Sequence, residues 1–198
     1  MSETTTLCEP VALATSLGED SADHLQHISS PTQSPVAIHQ EVRLTSLFDD
    51  LKDAGLDPTT TVLRYAVDIA GAETASFLDC DDNDDVVHIQ RLRYSAGRPL
   101  AILHNTLMAS KAPNRDSLTE AGLYELLKAQ GSAPASALQY VGARRASAEE
   151  AMHLVIDEGA AVVTVERTVY AMNGDVVDIE EHVYDASQYS LTFSLHAE

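Results

Sequence analysis

Two arginines stand two positions apart, at Arg91 and Arg93, in a run that alternates like a β-strand and leads into a turn containing Gly97. Side chains at positions i and i+2 of a strand point to the same face, so the two guanidinium groups are expected to lie side by side. Paired guanidinium groups suit an oxyanion such as a phosphate, a phosphonate or a carboxylate. The chain has 12 basic against 31 acidic residues, so the alternative is that each arginine pairs with a carboxylate across the sheet.

The overall charge of the chain restricts what it can bind. The 198 residues carry a formal net charge of -19, and the sole adjacent basic pair is Arg144 and Arg145. Proteins that bind duplex DNA neutralise its phosphates with clustered lysines and arginines, so we predict that this chain does not bind nucleic acid directly. The same negative charge repels anionic membranes. No apolar run approaches the roughly 18 residues of a membrane span, and a cytoplasmic location is predicted.

The residue types that commonly bind metals do not form a recognisable site. Cys8 and Cys80 are the two cysteines of the chain and lie far apart, so neither a disulfide framework nor a cysteine metal motif is indicated. The acidic run 79–85 is similar to the start of a calcium loop but lacks its glycine. His24 and His27 have no third ligand fixed nearby. We therefore predict no metal and no cofactor.

Composition and hydrophobic spacing divide the chain into a tail and one folded domain. Residues 1–41 are rich in Ser, Thr, Asp, Glu and Pro, which predicts a flexible N-terminal tail with a short helix near 22–27. Residues 42–198 show helical and strand periods in turn. The predicted helices cover 46–54, 72–78, 118–129 and 147–154, and the predicted strands cover 60–67, 86–94, 100–108, 137–144, 161–172, 175–184 and 190–196. The first helix has Thr45 or Ser46 as its predicted N-cap, and Ser147 and Glu150 form a predicted capping box at the start of the last.

Hairpins outnumber crossover connections in this order of elements. Asn173-Gly174 between two alternating runs is the strongest short-range signal for a hairpin, and residues 95–98 are expected to turn the strand of the arginines back on itself. On that first hairpin His88 and His104 are predicted to face each other. The pattern predicts an α+β fold, with a largely antiparallel sheet and helices packed on one side.

Several short motifs, in this order and spacing, resemble one known family. They are Arg43-Leu44-Thr45-Ser46, Arg91-Leu92-Arg93, Gly97-x-Pro99-Leu100, Leu123-Tyr124-Glu125-Leu126-Leu127, Val165-Glu166-Arg167-Thr168 and Tyr184-x-x-x-x-Tyr189. Together they are similar to the UTRA effector-binding domain of bacterial GntR-type transcription regulators of the HutC branch, over about residues 42–198. The resemblance implies a chorismate-lyase-like fold, a curved antiparallel sheet with flanking helices. It also implies a domain that dimerises and binds a small metabolite, such as a phosphorylated sugar, a phosphonate, a urocanate-like acid or a fatty acid.

The resemblance also implies which residues form the ligand site. The anion-binding arginines of the family match Arg91 and Arg93, which agrees with the interpretation of their spacing. Ser46 matches a position that contacts the anion, and the free N–H groups at a helix N-terminus favour anions. Tyr124 and Tyr184 match positions that line the pocket, where they either donate hydrogen bonds to the ligand or pack in the core.

Two positions depart from the members that bind sugar phosphates. Leu103 stands where those members carry a glutamate, and Gly122 stands where they carry a serine. Loss of a carboxylate that would accept from sugar hydroxyls argues for a smaller or more apolar acid. His104, next to Leu103, is a further candidate for contact with the ligand.

A winged-helix DNA-binding domain precedes the effector domain in complete members of the family, and nothing in residues 1–41 resembles it. We interpret the chain either as an effector domain separated from its DNA-binding part or as a natural sensor that pairs with a complete regulator, and its start at Met1 without a tag favours the second. The expected partners are a small anionic metabolite and a second copy or a full-length regulator, with no membrane.

Two other functions stay open from the residues alone. A lyase-type enzyme would use Arg91, Arg93 and a carboxylate such as Glu166 on a dianionic substrate, although no nucleophile–base pair is recognisable and we predict no enzymatic activity. A dimerisation module with a degenerate pocket would be indicated if both arginines were ion-paired to their neighbours.

Overall fold

Six long strands form one antiparallel sheet in the computed structural model, which describes residues 36–39 and 44–192. The strands are β2 (Thr59–Ile69), β3 (Asp85–Ser95), β4 (Arg98–Met108), β5 (Pro134–Arg145), β6 (Ala161–Ala171) and β7 (Val176–Asp185), in the order β2-β3-β4-β7-β6-β5. A separate pair joins β1 (Val36–His39) and β8 (Tyr189–Thr192) in parallel. The helices are α1 (Leu47–Asp53), α2 (Gly71–Leu78), α3 (Leu123–Ala129) and α4 (Ala148–Leu154), with short 3-10 turns at Ala109–Lys111 and Asp116–Thr119.

The α+β prediction is confirmed, and so are both predicted hairpins. Ala96 and Gly97 both have positive φ, 48° and 76°, at the turn between β3 and β4, the conformation that a two-residue hairpin loop of type I′ requires. Asn173 and Gly174 connect β6 to β7. The capping box predicted at Ser147 and Glu150 is present at the start of α4.

Three predictions about elements need correction. Helix 118–129 is wrong in its first part, because a 3-10 turn ends at Thr119 and α3 begins at Leu123, after the N-cap Gly122. The tail predicted to reach residue 41 is wrong for Val36–His39, which form β1. The last strand is Tyr189–Thr192, and the rest of the predicted span 190–196 lies outside the described residues, as do the predicted helix near 22–27 and most of the tail.

Helices lie on both faces of the sheet, whereas the sequence predicted one side. On the first face, which we call the cavity face, Leu51 of α1 packs on Leu103 and Tyr184, and Leu127 of α3 packs on Ile89. On the opposite face, Ala151 and Leu154 of α4 pack on Leu92, Ile102 and Val183. The two faces of the sheet are therefore covered by different helices.

Candidate functional site

A small, partly open cavity lies between α1, α3 and the cavity face of the sheet. Its volume is about 30 Å³, which leaves room for about two water molecules. Arg91 and Arg93 of β3 lie at its floor, together with side chains from β4, β6 and β7. The register explains this convergence, because Arg91 pairs with Leu103 of β4 and Leu103 pairs with His182 of β7. Cross-strand neighbours on one face of a sheet are close enough for their side chains to touch.

Arg91 and Arg93 point to the same face, as their spacing predicted, and are buried with 2% and 1% of their surface exposed. Nη2 of Arg91 donates to Oδ1 of Asn105 at 2.8 Å. Nη1 of Arg93 donates to Oγ1 of Thr60, and its guanidinium lies 4.8 Å from the centre of the Phe48 ring. Neither arginine makes an ion pair with any carboxylate of the described residues. The alternative in which both arginines are neutralised by neighbouring acids is therefore wrong for the described part of the chain.

The two guanidinium groups are electrostatically strained. Burial lowers the pKa of Arg91, and burial together with the charge of Arg91 lowers the pKa of Arg93 to about 9. Nε and Nη1 of Arg91 and Nε of Arg93 are buried without a hydrogen-bond partner among the described residues. Buried charged donors without acceptors are costly, so these three N–H groups favour the arrival of an anion.

A hydrogen-bonded cluster around Glu180 forms the other wall of the cavity. Tyr124 of α3 donates its hydroxyl to Oε1 of Glu180 at 2.7 Å, and Nη1 of Arg167 lies 3.0 Å from Oε2 of the same carboxylate. Arg167 also donates from Nε and Nη2 to Oε1 of Gln139 on the edge strand β5, at 2.8 and 2.6 Å. Burial works to lower the pKa of Arg167, but the neighbouring Glu180 and Tyr124 oxygens outweigh it and raise that pKa. Arg167 is therefore already neutralised, unlike Arg91 and Arg93.

A second buried carboxyl lies behind this cluster. Asn105 accepts from Arg91 and donates from Nδ2 to Oδ2 of Asp178 at 2.8 Å. Burial and the adjacent Glu180 raise the pKa of Asp178 well above its ordinary value. Asp178 therefore contacts Arg91 through Asn105, without an ion pair between the two.

The tyrosines fall where the resemblance placed them. Tyr124 and Tyr184 both line the cavity, and Tyr184 stacks on Tyr189 with ring centres 4.0 Å apart. His182, whose Nδ1 lies 3.3 Å from the Tyr184 hydroxyl, is buried, and this burial lowers its pKa to about 4. The imidazole is thus neutral at pH 7, and the wall formed by these rings is largely uncharged.

Ser46 lines the cavity but is already engaged within α1. It is the N-cap of the helix, where its Oγ accepts from the backbone N–H of Asp49 at 3.2 Å and donates to Oδ2 of Asp49 at 2.6 Å. Ser46 thus satisfies one backbone N–H group of the first turn itself, and its contact with an anion stays a prediction. The carboxylates of Asp49 and Asp50 occupy the first turn, so an anion there would meet like charge.

His104 and Glu166 do not reach the arginines. Both line an open groove of about 690 Å³ on the opposite face of the sheet, where Nε2 of His104 lies 3.5 Å from Nε2 of Gln90. Leu103 and Arg167, their neighbours in sequence, line the cavity. Side chains alternate between the two faces of a strand, so His104 and Glu166 point to the opposite face. The ligand contact proposed for His104 and the carboxylate role considered for Glu166 are both wrong for this cavity.

The register between β3 and β4 corrects the expected contact between His88 and His104. His88 pairs with Thr106, and its Nδ1 lies 3.0 Å from the Thr106 hydroxyl, whereas His104 pairs with Gln90. The histidines are diagonal neighbours rather than direct partners. Across residues 36–39 and 44–192, no group of three or more His, Cys, Asp and Glu side chains forms a metal site, and no helix of that part is long and apolar enough to cross a membrane.

The cavity residues that sequence reasoning missed include Arg167, Glu180 and His182. Arg167 was part of a motif that suggested the family, but no role was given to it. Glu180 and His182 stand two apart on β7 and so share a face, a signal that was present. The alternation of side chains along β7 does not show that this face of the strand is buried beneath α1 and α3.

Comparison with known proteins assigns the chain to a family. The model of the UTRA domain matches residues 53–190. The chain belongs to the UTRA domain family. The match falls inside the range 42–198 that the motifs suggested.

The relatives of this UTRA domain are transcription regulators. The HTH-type transcriptional repressor NagR of Bacillus subtilis (strain 168) is 29% identical over 149 residues, which are 74% of this chain and 61% of that protein. A crystal structure of a protein assigned as a transcriptional regulator from Streptomyces coelicolor is 38% identical, with a TM-score of 0.63, over 68% of this chain and 91% of the other. The effector domain of PhnF from Mycobacterium smegmatis has the same fold at 19% identity, with a TM-score of 0.70, over 83% of this chain and 99% of the other.

These relationships confirm the fold class and the general role. The chain is an effector-binding regulatory domain of the type found in GntR-family regulators, and the relatives that it matches are transcription regulators rather than enzymes. It spans about 61% of the length of NagR, so the activity of that whole protein is not transferred to it.

Proposed function

We propose that this UTRA domain binds a small anionic metabolite through Arg91 and Arg93. The observation that carries the proposal is a pair of buried guanidinium groups, 2% and 1% exposed, with three unpaired N–H donors. Two charged groups placed side by side in a protein interior are costly. That cost is offset if an anion arrives to accept the unpaired hydrogen bonds.

The balance of charge in the cavity indicates what the ligand carries. Arg167 is neutralised by Glu180 at 3.0 Å. Arg91 and Arg93 have no ion-pair partner among the described residues, although the carboxylates of Asp49 and Asp50 in the first turn of α1 lie on the other side of the cavity. A phosphate, a phosphonate or a carboxylate complements the two guanidinium groups, and bidentate contacts with a guanidinium add geometric specificity. Leu103 and the stacked pair of Tyr184 and Tyr189 offer the body of the ligand an apolar or aromatic surface.

Ligand binding is coupled to movement of α1 in this proposal. The cavity of about 30 Å³ is far smaller than the roughly 300 Å³ or more of typical ligand pockets. The first turn of α1 forms its cover, with Phe48 stacked on Arg93. Binding of a metabolite would therefore shift the population towards a conformation with α1 displaced. In a complete regulator such a shift would be transmitted to the DNA-binding part.

We also propose that the domain pairs with a second copy, or with a full-length regulator, through the edge strand β5. This strand is paired on one side only, with β6. Leu138 and Tyr140 on it are 51% and 63% exposed. A long edge strand with exposed apolar side chains is suited to pair with another strand. As a sensor of this kind the protein would act in the cytoplasm and contact DNA only through its partner.

A thermal-shift screen tests the anion site. Purified protein in a buffer without phosphate is heated with phosphates, phosphonates, sugar acids, imidazole acids and fatty acids in turn. A ligand at 100 times its Kd stabilises the native state by about 2.7 kcal/mol. We expect a hit in one anionic class, and loss of that hit in the Arg91→Ala, Arg93→Ala variant.

The matched control is Arg64→Ala, which removes an exposed arginine from the opposite face of the sheet. It should keep the hit if the ligand binds Arg91 and Arg93 specifically. Loss of the hit in this control would show that any positively charged side chain supports binding. Equal affinity of the double variant and the wild type would contradict the site. No hit in any class would favour an interaction module with a degenerate pocket.

A further inference from the structure

The start of α3 lies directly against the first turn of α1, and the contact is made at Gly122. A Cβ atom added to Gly122 would lie 2.8 Å from Oγ of Ser46, 3.4 Å from Cβ of Phe48 and 3.5 Å from Oδ2 of Asp49. Carbon and oxygen atoms that are not bonded do not approach to 2.8 Å without strain, because interiors are close-packed and repulsion rises steeply. Gly122 is therefore a position where the two helices meet with no space for a side chain.

The backbone at Gly122 does not itself require glycine. Its φ of -67° and ψ of 145° are extended values that any L-residue adopts. It is the N-cap of α3, and no side chain caps that helix, although Ser, Asp and Asn are preferred at N-caps because they accept a hydrogen bond there. Glycine at this position thus forgoes a capping side chain, and what it provides is room for α1.

The close contact cannot be relieved by turning the Ser46 side chain alone. Ser46 is buried, and its Oγ holds both the N–H and the carboxylate of Asp49, at 3.2 and 2.6 Å. Rotation would break the cap of α1. A side chain at position 122 must therefore either uncap α1 or move it away from α3.

Movement of α1 changes the anion cavity, because the same turn carries Phe48, which stacks on Arg93 at 4.8 Å. We propose that Gly122 is a specificity-determining residue, which lets α1 close on α3 and so keeps the cavity small. This inference rests on the proposed anion site. Wild-type protein then favours compact anions, and an anion with a bulky body binds only after α1 is displaced. A residue with a Cβ at position 122 opens the site to such anions.

The test compares wild type with Gly122→Ala by hydrogen exchange and by calorimetric binding of two probes, inorganic phosphate and phenyl phosphate. These probes share the anionic group and differ in bulk. We expect faster exchange of the amides of Leu47–Asp53 in the variant, and binding of phenyl phosphate that is tighter by about tenfold relative to phosphate.

The matched control is Gly142→Ala on the exposed part of β5. A Cβ there would also meet a hydroxyl at 2.8 Å, that of Thr164, but it lies far along the sheet from α1. Exchange of α1 and the ratio of the two affinities should both equal the wild-type values in this control. A change as large as that of Gly122→Ala would overturn the assignment, because any added methyl group would then act in the same way.

A double-mutant cycle with Ser46→Gly identifies the contact itself. Removal of the Ser46 hydroxyl removes the atom at 2.8 Å and keeps an acceptable N-cap residue. Addition of Ala at position 122 should then leave α1 exchange unchanged relative to Ser46→Gly alone. The same loss of protection in both backgrounds would overturn the role of this contact.

The outcomes separate this inference from the anion site itself. If α1 opens in Gly122→Ala but neither probe binds either protein, the packing role of Gly122 is supported, whereas its effect on specificity and the proposed function both fail. If the probes bind but Gly122→Ala changes neither exchange nor the affinity ratio, the anion site is supported and the role of Gly122 is overturned.

Discussion

Arg93 holds a buried charge without a carboxylate partner, so its replacement by an apolar residue should stabilise the ligand-free domain. Burial and the neighbouring Arg91 lower the pKa of Arg93 from 12.5 to about 9. That difference corresponds to an upper limit of about 5 kcal/mol. The hydrogen bond to Thr60 and the stacking on Phe48 offset about 1–3 kcal/mol of it. We expect Arg93→Met, which keeps much of the side-chain volume, to raise the free energy of unfolding by about 1–3 kcal/mol.

Urea unfolding at pH 7 in a buffer without phosphate measures this change directly. A gain of about 1–3 kcal/mol corresponds to a Tm higher by roughly 2–12 °C for a chain of this size. The control Arg64→Met removes an exposed arginine and should change the free energy of unfolding by less than about 0.5 kcal/mol. A loss of stability in Arg93→Met would refute the reasoning, because Arg93 would then be satisfied by its own surroundings and would have no need of a ligand.

Three further changes test other parts of the structure. Burial lowers the pKa of His182 from 6.5 to about 4. Between these two pH values the unfolded chain binds a proton that the folded chain does not. The free energy of unfolding should therefore fall by about 2 kcal/mol as the pH drops from 6.5 to 5. The variant His182→Gln should lose this part of the pH dependence in urea titrations, and an unchanged dependence would show that another group titrates. Val155 has a φ of 56° and is 77% exposed, and β-branched residues are strained in this left-handed region. Val155→Gly should therefore raise the free energy of unfolding by about 1 kcal/mol. A lower free energy of unfolding would show that Val155 makes contacts that outweigh this strain. Tyr124→Phe removes the donor to Oε1 of Glu180 and should lower the free energy of unfolding by about 1–3 kcal/mol in the same assay, while no change would mean that Arg167 alone satisfies the carboxylate.

The residues that the sequence placed correctly are those whose position depends on local rules. Arg91 and Arg93 share a face because strand side chains alternate. Ser46 and Ser147 cap α1 and α4 because short polar side chains accept from the first backbone N–H groups of a helix. Each of these rules involves residues within a few positions of one another, so no knowledge of the rest of the fold is needed.

His104 shows what strand pairing adds to the reading of neighbours in sequence. The sequence predicted that His104 faces His88, but His104 pairs with Gln90 and His88 pairs with Thr106. Leu103 pairs with Arg91 and lines the cavity, and side chains alternate along a strand, so His104 lies on the opposite face. The ligand contact was inferred from the position next to Leu103, and this alternation contradicts it.

The sequence by itself determined the antiparallel α+β architecture, the paired arginines and the excess of acidic charge. Those features depend on alternation, turn residues and composition. The tertiary structure alone decided that Arg167 and not the arginine pair is neutralised by Glu180, and that Gly122 lets α1 close over Arg93. These results depend on distances between side chains that are far apart in the sequence, and such distances are set only when the sheet and its helices pack together.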